Sequence, residues 1–289
     1  MLLIADGGST KCDWIVLNHE TGEEVLRTHT QGLNPAVFAL EVLQSRLTDN
    51  PDLAKLKTKI SNVHFFGAGC GTPKPTAVLQ KVLETYFNNS KVKVAEDMLA
   101  AVYAATDKPG IVCILGTGSN SCYFDGQNTQ MFVDSLGYIL MDEASGNYYG
   151  KQLIRDYYYQ KMPQHLAKVF AEKYNLDSDE IKKNIYKNEN PNTYLAGFAQ
   201  FIFESEIQEP YFEEVITKGI EEFVNYRVLC YPESKSLPIH FIGSIAHFST
   251  PIIKKVLDRH GLQLGNIVRK PIEGMIRYYQ GRIQEGATF

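Results

Sequence analysis

The chain has 289 residues, of which 44% are hydrophobic and 21% charged, and its net charge is −4. No stretch reaches the ~20 continuous apolar residues that a membrane span needs, and no basic run offers a nucleic-acid footprint, so neither a bilayer nor a nucleic acid is expected as a partner. The five cysteines are scattered with no CxxC pair, and Met1 runs into Leu2-Leu3-Ile4-Ala5 with no basic leader; free thiols in a reducing, cytoplasmic compartment are expected.

Residues 1–6 form an apolar run and Trp14-Ile15-Val16-Leu17 a second, separated by Gly7-Gly8-Ser9-Thr10. Two strands joined by a tight glycine turn are predicted, and Glu24 to Thr30 reads as a third strand. Asn34-Pro35 then opens a helix, with Asn as N-cap and Pro in the first position, carrying Val37, Leu40, Leu43 and Leu47. Val63 to Phe66 is a strand ending at Gly67-Ala68-Gly69, Pro75 to Phe87 a helix, and Val92 to Ala95 a strand. An alanine-rich helix runs from Asp97 to about Thr106.

Pro109-Gly110 punctuates the chain. After it, Ile111 to Leu115 is a strand, Gly116-Thr117-Gly118-Ser119 a turn, Ser121 to Phe124 a strand, Asp125-Gly126 a hairpin turn, and Gln130 to Val133 the returning strand. A helical block follows from about Gly146 to Leu229, then a strand at Ile239 to Ile242, a helix at Thr250 to His260, a short strand at Asn266 to Arg269 and a helix at Ile272 to Gln284. Both halves therefore read β-β-β-α-β-α-β-α, the second with a helical insertion. The expected lobes are 1–109 and 110–289, with a hinge near Lys108-Pro109-Gly110 and the last helix free to pack back on the first lobe.

Both halves place glycine and hydroxyl residues in their first hairpin turn. Such a turn directs backbone N–H groups and hydroxyls at an anion, and glycine permits close approach. Two of them facing each other would clamp a polyphosphate. Asp6, at a strand end, is placed to hold Mg²⁺ through its water shell. There is no GxxxxGK[ST] sequence, so the chain is not of the P-loop type.

Seven short stations occur in order: Asp6-Gly7-Gly8-Ser9-Thr10-Lys11, Gly32-Leu33-Asn34-Pro35, Gly67-Ala68-Gly69-Cys70-Gly71, Glu96-Asp97, Gly116-Thr117-Gly118-Ser119-Asn120, Asp142-Glu143-Ala144-Ser145-Gly146 and Gly243-Ser244-Ile245-Ala246. With them the chain resembles the actin/hexokinase/sugar-kinase ATPases. More narrowly it is similar to the group uniting N-acetylglucosamine kinases with the BadF/BadG/BcrA/BcrD ATPases. The resemblance implies an α/β fold of two ribonuclease H-like domains, each a mixed five-stranded sheet flanked by helices, around an interdomain cleft that closes on its ligands. It also implies ATP and Mg²⁺ as cofactors and phosphorylation of an amino sugar, most simply N-acetylglucosamine at its 6-hydroxyl. A homodimer is one option for its assembly. The alternative within the group is an ATPase coupled to a partner redox enzyme through an iron–sulfur cluster; Cys70 and Cys122 lie near motif loops, without a close cysteine pair.

By the same resemblance Asp6, Gly8, Ser9, Thr10 and Lys11 form the first phosphate turn and Gly116, Thr117 and Gly118 the second. Gly243, Ser244 and Ala246 correspond to the adenosine motif, and Asp97 to the general base. On position alone Asp97 also reads as a helix N-cap. Asn34, Asn120, Gly137 and Asp142 match the sugar-binding positions; without the resemblance Asn34 reads as a helix N-cap, Asn120 as a turn residue and Asp142 as a loop or helix-start acid, while Gly137 would let the substrate approach the backbone. Two departures touch the pocket wall: animal members carry a tryptophan between glycines where this chain has Ser135-Leu136-Gly137-Tyr138, and glycine where it has Met141. Tyr138 is the aromatic placed to stack on a sugar ring, and His64, His240 and His247 read as structural histidines.

Overall fold

A computed structural model describes residues 1–8, 11–188, 190–203, 209–287 and 289. The chain divides into two compact units, Met1–Ala104 with Lys270–Phe289, and Ala105–Arg269. The final helix, Pro271–Gln284, thus belongs to the first unit.

The sheet of the first unit is built from β1 (Leu2–Gly7), β2 (Lys11–Leu17), β3 (Glu24–Gln31), β4 (Asn62–Gly67) and β5 (Lys91–Glu96), in the order β3-β2-β1-β4-β5. β1 pairs antiparallel with β2 and parallel with β4. A central strand covered on both faces must be apolar at successive positions, and β1 is Leu-Leu-Ile-Ala. Alternation sends Leu3 and Ala5 to a core with Trp14, Val16, Leu43 and Leu79. Leu2 and Ile4 face a second core with Ile15, Met275 and Ile276 from the final helix. Where β1 and β4 end, Gly7 stands opposite Gly67. A Cβ on either would lie 2.2 Å or 2.5 Å from the Phe65 ring, so the ring occupies the space that two side chains would need.

The second unit repeats the topology. β6 (Gly110–Leu115), β7 (Ser119–Phe124), β8 (Thr129–Gln130), β9 (Ile239–Ile242) and β10 (Leu264–Val268) form a sheet in the order β10-β9-β6-β7-β8. β6 pairs antiparallel with β7 and parallel with β9, as β1 does with β2 and β4. The insertion between β8 and β9 is helical and buries Ile111, Cys113 and Leu115 of β6 under Tyr149, Leu153, Phe201 and Phe223. Its helix Gly146–Tyr158 lies so close to the helix Pro191–Phe198 that a Cβ on Gly150 would stand 1.8 Å from the Leu195 carbonyl oxygen.

Three expectations need correction. Asn34-Pro35 opens a turn, in which Val37 and Phe38 donate to the Asn34 carbonyl. The helix starts only at Leu40, because Ala39 is extended (φ −66°, ψ 158°) and interrupts it. A short helix, Pro51–Leu56, capped by Asn50, was not predicted. The third strand of the second unit is only Thr129–Gln130, and the chain beyond it runs as a loop to Asp142.

Two glycines of the final helix separate steric from conformational effects. A Cβ on Gly274 would meet the Ala104 backbone at 2.5 Å, whereas one on Gly281 meets nothing within 4 Å. Gly274→Ala should destabilise the protein by about 1–3 kcal/mol, and Gly281→Ala should stabilise it by about 0.5–1 kcal/mol. Urea denaturation of the two variants checks the opposite signs.

Candidate active site

In the first unit the chemistry gathers at the carboxyl ends of the parallel strands, where open α/β sheets place their ligands. Asp6 is the penultimate residue of β1 and stands opposite Asp13 of β2. Asp97 begins the helix Asp97–Ala105 directly after β5. Burial, then the charges of Asp97 and Asp13, push the Asp6 carboxyl up to about 7, against the opposing charge of Lys11. Lys11 is itself ion-paired to Asp13 at 2.6 Å. The Asp97 carboxyl is also raised by burial, while the N–H groups of Met98 and of Asp97 itself partly stabilise its charge. These backbone contacts at the head of the helix accord with the N-cap reading of Asp97. Glu96 is raised by burial and by Asp97, and lies over Gly71, where a Cβ would stand 2.9 Å from Oε1.

The β1–β2 turn is closed by the Gly8 N–H, which donates to the Lys11 carbonyl at 2.8 Å. Ser9 and Thr10 lie outside the described residues. The Gly8 carbonyl accepts from Leu33 N–H, and the Gly7 carbonyl from Ala68 N–H, so the segments around residues 33 and 68 border the turn. Asn34 is buried, and its Oδ1 accepts the Ala36 N–H at 2.9 Å. A Cβ on Gly69 would fall 2.0 Å from that oxygen, and Gly69 has φ +81°. Asp6, Gly8, Lys11, Asn34 and Asp97 are therefore neighbours at one end of one sheet.

In the second unit the Gly116 N–H donates to the Gly118 carbonyl at 2.9 Å, and Thr117 forms the tip. The carbonyls of Gly116 and Thr117 accept the N–H groups of Gly146 and Asn147, fastening the turn to the start of the helix Gly146–Tyr158. Asp142 leans on this turn: a Cβ on Gly118 would lie 2.8 Å from its Oδ2. Asp142 is buried with φ 71°, and Ala144 follows with φ 57°. Each such residue costs about 1–2 kcal/mol, and such strain concentrates at functional sites. The segment is held by Asn147 Nδ2, which donates to Asp142 Oδ2 at 2.9 Å, and by Ser145 Oγ, which donates to the Asp142 carbonyl at 2.6 Å.

Gly243 leaves β9 with φ +117°, and a Cβ there would stand 2.2 Å from the Leu115 carbonyl oxygen. It opens a recess of about 210 Å³ lined by Gly116, Thr117, Gln200, Ser244, Phe248 and Arg269 among others. The Arg269 guanidinium stands 5.0 Å over the Phe248 ring, which is stacked with Phe203. Ala246 lies behind this wall in the hydrophobic core.

Asn120 is on β7, with Oδ1 accepting the Ser121 N–H and Nδ2 3.6 Å from Met131 Sδ. Gly137 has φ +79° with nothing within 4 Å of a Cβ, so conformation rather than space calls for glycine there. His64 and His240 are buried, hydrogen-bonded to Tyr279 and to the Asn266 N–H, as structural histidines would be. His247 departs from that expectation: it is exposed, edge-on to Phe248. Cys70 and Cys122 are buried and in no disulfide, and burial with Asp97 and Glu96 pushes the Cys70 thiol up to about 12. Among the described residues no three His, Cys, Asp or Glu side chains are grouped to hold a metal, and no helix is long and apolar enough to cross a membrane.

Sequence reasoning did not find Asn147, Gln200, Phe203, Phe248 or Arg269. Asn147 had a usable signal, a polar residue in the first turn of a helix following Asp142; the others converge from separate segments with no shared spacing.

The raised Asp6 carboxyl has a thermodynamic consequence. An acid whose pKa in the folded protein, about 7, exceeds the ordinary value of 3.8 stabilises the folded state at low pH and loses that contribution as pH rises from about 4 to about 7. The melting temperature should fall across that window, and Asp6→Asn should flatten the fall and melt higher than the parent at pH 8. Thermal unfolding at a series of pH values measures both.

No family model matches the chain, and no curated protein does. Among solved structures it resembles that of a candidate N-acetylglucosamine kinase from Porphyromonas gingivalis, with TM-score 0.90 and 36% identity over 97% of this chain and 99% of that one. A candidate N-acetylglucosamine kinase from Chromobacterium violaceum follows at TM-score 0.73 and 13% identity, covering 96% of this chain and 98% of that one. A ROK family glucokinase from Streptomyces griseus, solved with glucose and AMPPNP, gives TM-score 0.57 and 14% identity, covering 99% of both chains. The last two bear on the fold alone.

Proposed function

The chain belongs to the N-acetylglucosamine kinase-like family of the actin-like ATPase fold, and we propose that it transfers the γ-phosphoryl group of ATP to the 6-hydroxyl of N-acetylglucosamine, with Asp97 as general base. The observation that carries this reading is the Asp97 carboxyl, held at a strand-to-helix junction beside Asp6 and made more basic by burial. A base so raised accepts a hydroxyl proton more readily than an exposed aspartate. As the sugar oxygen bonds to the γ-phosphorus, its proton passes to Asp97, and the bond from phosphorus to the β–γ bridging oxygen breaks to release ADP.

The remaining roles follow the chemistry of each unit. Gly8, Ser9, Thr10 and Lys11 bind phosphate from the first turn, and Gly116, Thr117 and Gly118 from the second. Gly243 and Ser244 open the recess for the nucleoside, with Phe248 as a stacking surface and Ala246 supporting it from the core. Asn34, Asn120 and Asp142 read sugar hydroxyls or the acetamido group by paired hydrogen bonds, and Gly137 admits the ring close to the backbone.

The surroundings of Asp6 fit a divalent cation. Burial, then repulsion from Asp97 and Asp13, raises its carboxyl, and a hard cation that keeps its water shell would relieve such repulsion through Asp6. When bound, Mg²⁺ supplies neutralisation of phosphate charge. A cytoplasmic location accords with the use of ATP.

The test is a coupled ADP assay over a panel of sugars, with the position of the phosphate on the product read by NMR. ATP turnover should be stimulated by N-acetylglucosamine and should fall by about 10²–10⁴ in Asp97→Asn, with the sugar KM within a few-fold of the parent. ATP hydrolysis indifferent to every sugar would overturn the kinase reading.

A further inference from the structure

The loop from Met131 to Met141 carries Gly137 and delivers the chain to Asp142. Its own burial does not hold it: Leu136, Ile139 and Leu140 are 60%, 75% and 70% exposed. A polar anchor beneath it does. Arg227 is only 1% exposed, and its side-chain donors reach both ends of the loop: Nη1 donates to the Val133 carbonyl at 2.9 Å, and Nη2 meets Met141 Sδ at 3.3 Å. The same sulfur takes the Leu136 N–H at 3.4 Å. Between these points Lys151 Nζ donates to the Tyr138 carbonyl.

A buried guanidinium is costly unless its donors are used, and both of these partners are neutral. The backbone at Arg227 is also irregular. The helix Pro210–Phe223 runs into a π-turn, Val224–Val228, closed by the Leu229 N–H on the Val224 carbonyl at 2.9 Å. Such a turn inserts a residue and re-aims side chains, often beside functional sites. The Arg227 carbonyl is tied to β7 through Ser121 Oγ at 2.6 Å. The sheet, the π-turn and the loop are thereby joined through one side chain, and Met141 directly precedes Asp142 with its φ of 71°.

We propose that Arg227 and Met141 form a buried latch that fixes the loop and, through it, Asp142, making Arg227 a positioning residue for sugar binding. The inference rests on the reading of Asp142 as a sugar-binding carboxylate. It gives a physical role to the methionine standing where animal members of the family carry glycine: the thioether is the acceptor that the guanidinium needs.

Two variants test it, with steady-state kinetics and hydrogen exchange. Met141→Leu keeps the volume and removes the acceptor; Arg227→Met removes the donor together with its buried charge. Both should raise the KM for the sugar about five- to twentyfold while leaving the KM for ATP within twofold. Amide exchange at residues 134–141 should quicken, and the melting temperature of Met141→Leu should stay near the parent's. Unchanged exchange in that loop, or equal rises in both KM values, would overturn the latch. A parent protein that no sugar stimulates would overturn the kinase reading instead, and the exchange measurement would still report whether the latch holds the loop.

Discussion

The carboxylates at the end of β1 impose the constraint on which the first unit depends. Asp6 sits where a strand covered on both faces reaches the rim of its sheet, opposite Asp13 and within the field of Asp97. The strand cannot yield, because Leu2, Leu3, Ile4 and Ala5 alternate between two cores and a one-residue slip would turn both sets over. Asp6 is therefore held close to other acids at a cost to its own ionisation. A carboxyl raised by burial and by neighbouring charge is one whose ionisation a cation would favour. The fold thus holds an electrostatic penalty at the end of β1.

The second unit repeats the sheet but not this arrangement. β6 runs Ile-Val-Cys-Ile-Leu into its turn and brings no acid where β1 brings Asp6. Its carboxylate comes instead from Asp142, on a backbone with positive φ at both Asp142 and Ala144. Asn147 and Ser145, both fully buried, hold that conformation by hydrogen bonds. Two copies of one topology thus place a carboxylate differently: on a rigid strand end in the first unit, and on a strained loop in the second.

How far this was legible in the sequence follows from the range of the interactions. The succession of elements along the chain, the shared hairpin turns and the placing of Asp6 and Asp97 rest on local periodicity and on glycines at strand ends, and these could be read directly. Asn34 shows the limit. Its side chain does cap a backbone N–H, as Asn before Pro suggests, but the capped N–H belongs to a turn, and the helix waits for Leu40. Capping chemistry is local, whereas the continuation of a helix depends on what packs against it. The recess around Ser244 lay beyond reach for the same reason. Gln200, Phe248 and Arg269 come from separate segments, and only the tertiary fold brings them together.

Met141 joins these two kinds of information. As a letter in the sequence it reads as a departure in the pocket wall, weighing against a particular sugar. In the structure it is part of what holds the adjacent carboxylate, since its sulfur meets Arg227 Nη2 and the Leu136 N–H. A glycine at 141 could offer no such acceptor, so a relative with glycine there must hold its loop by other means. The departure therefore bears on how firmly Asp142 is held.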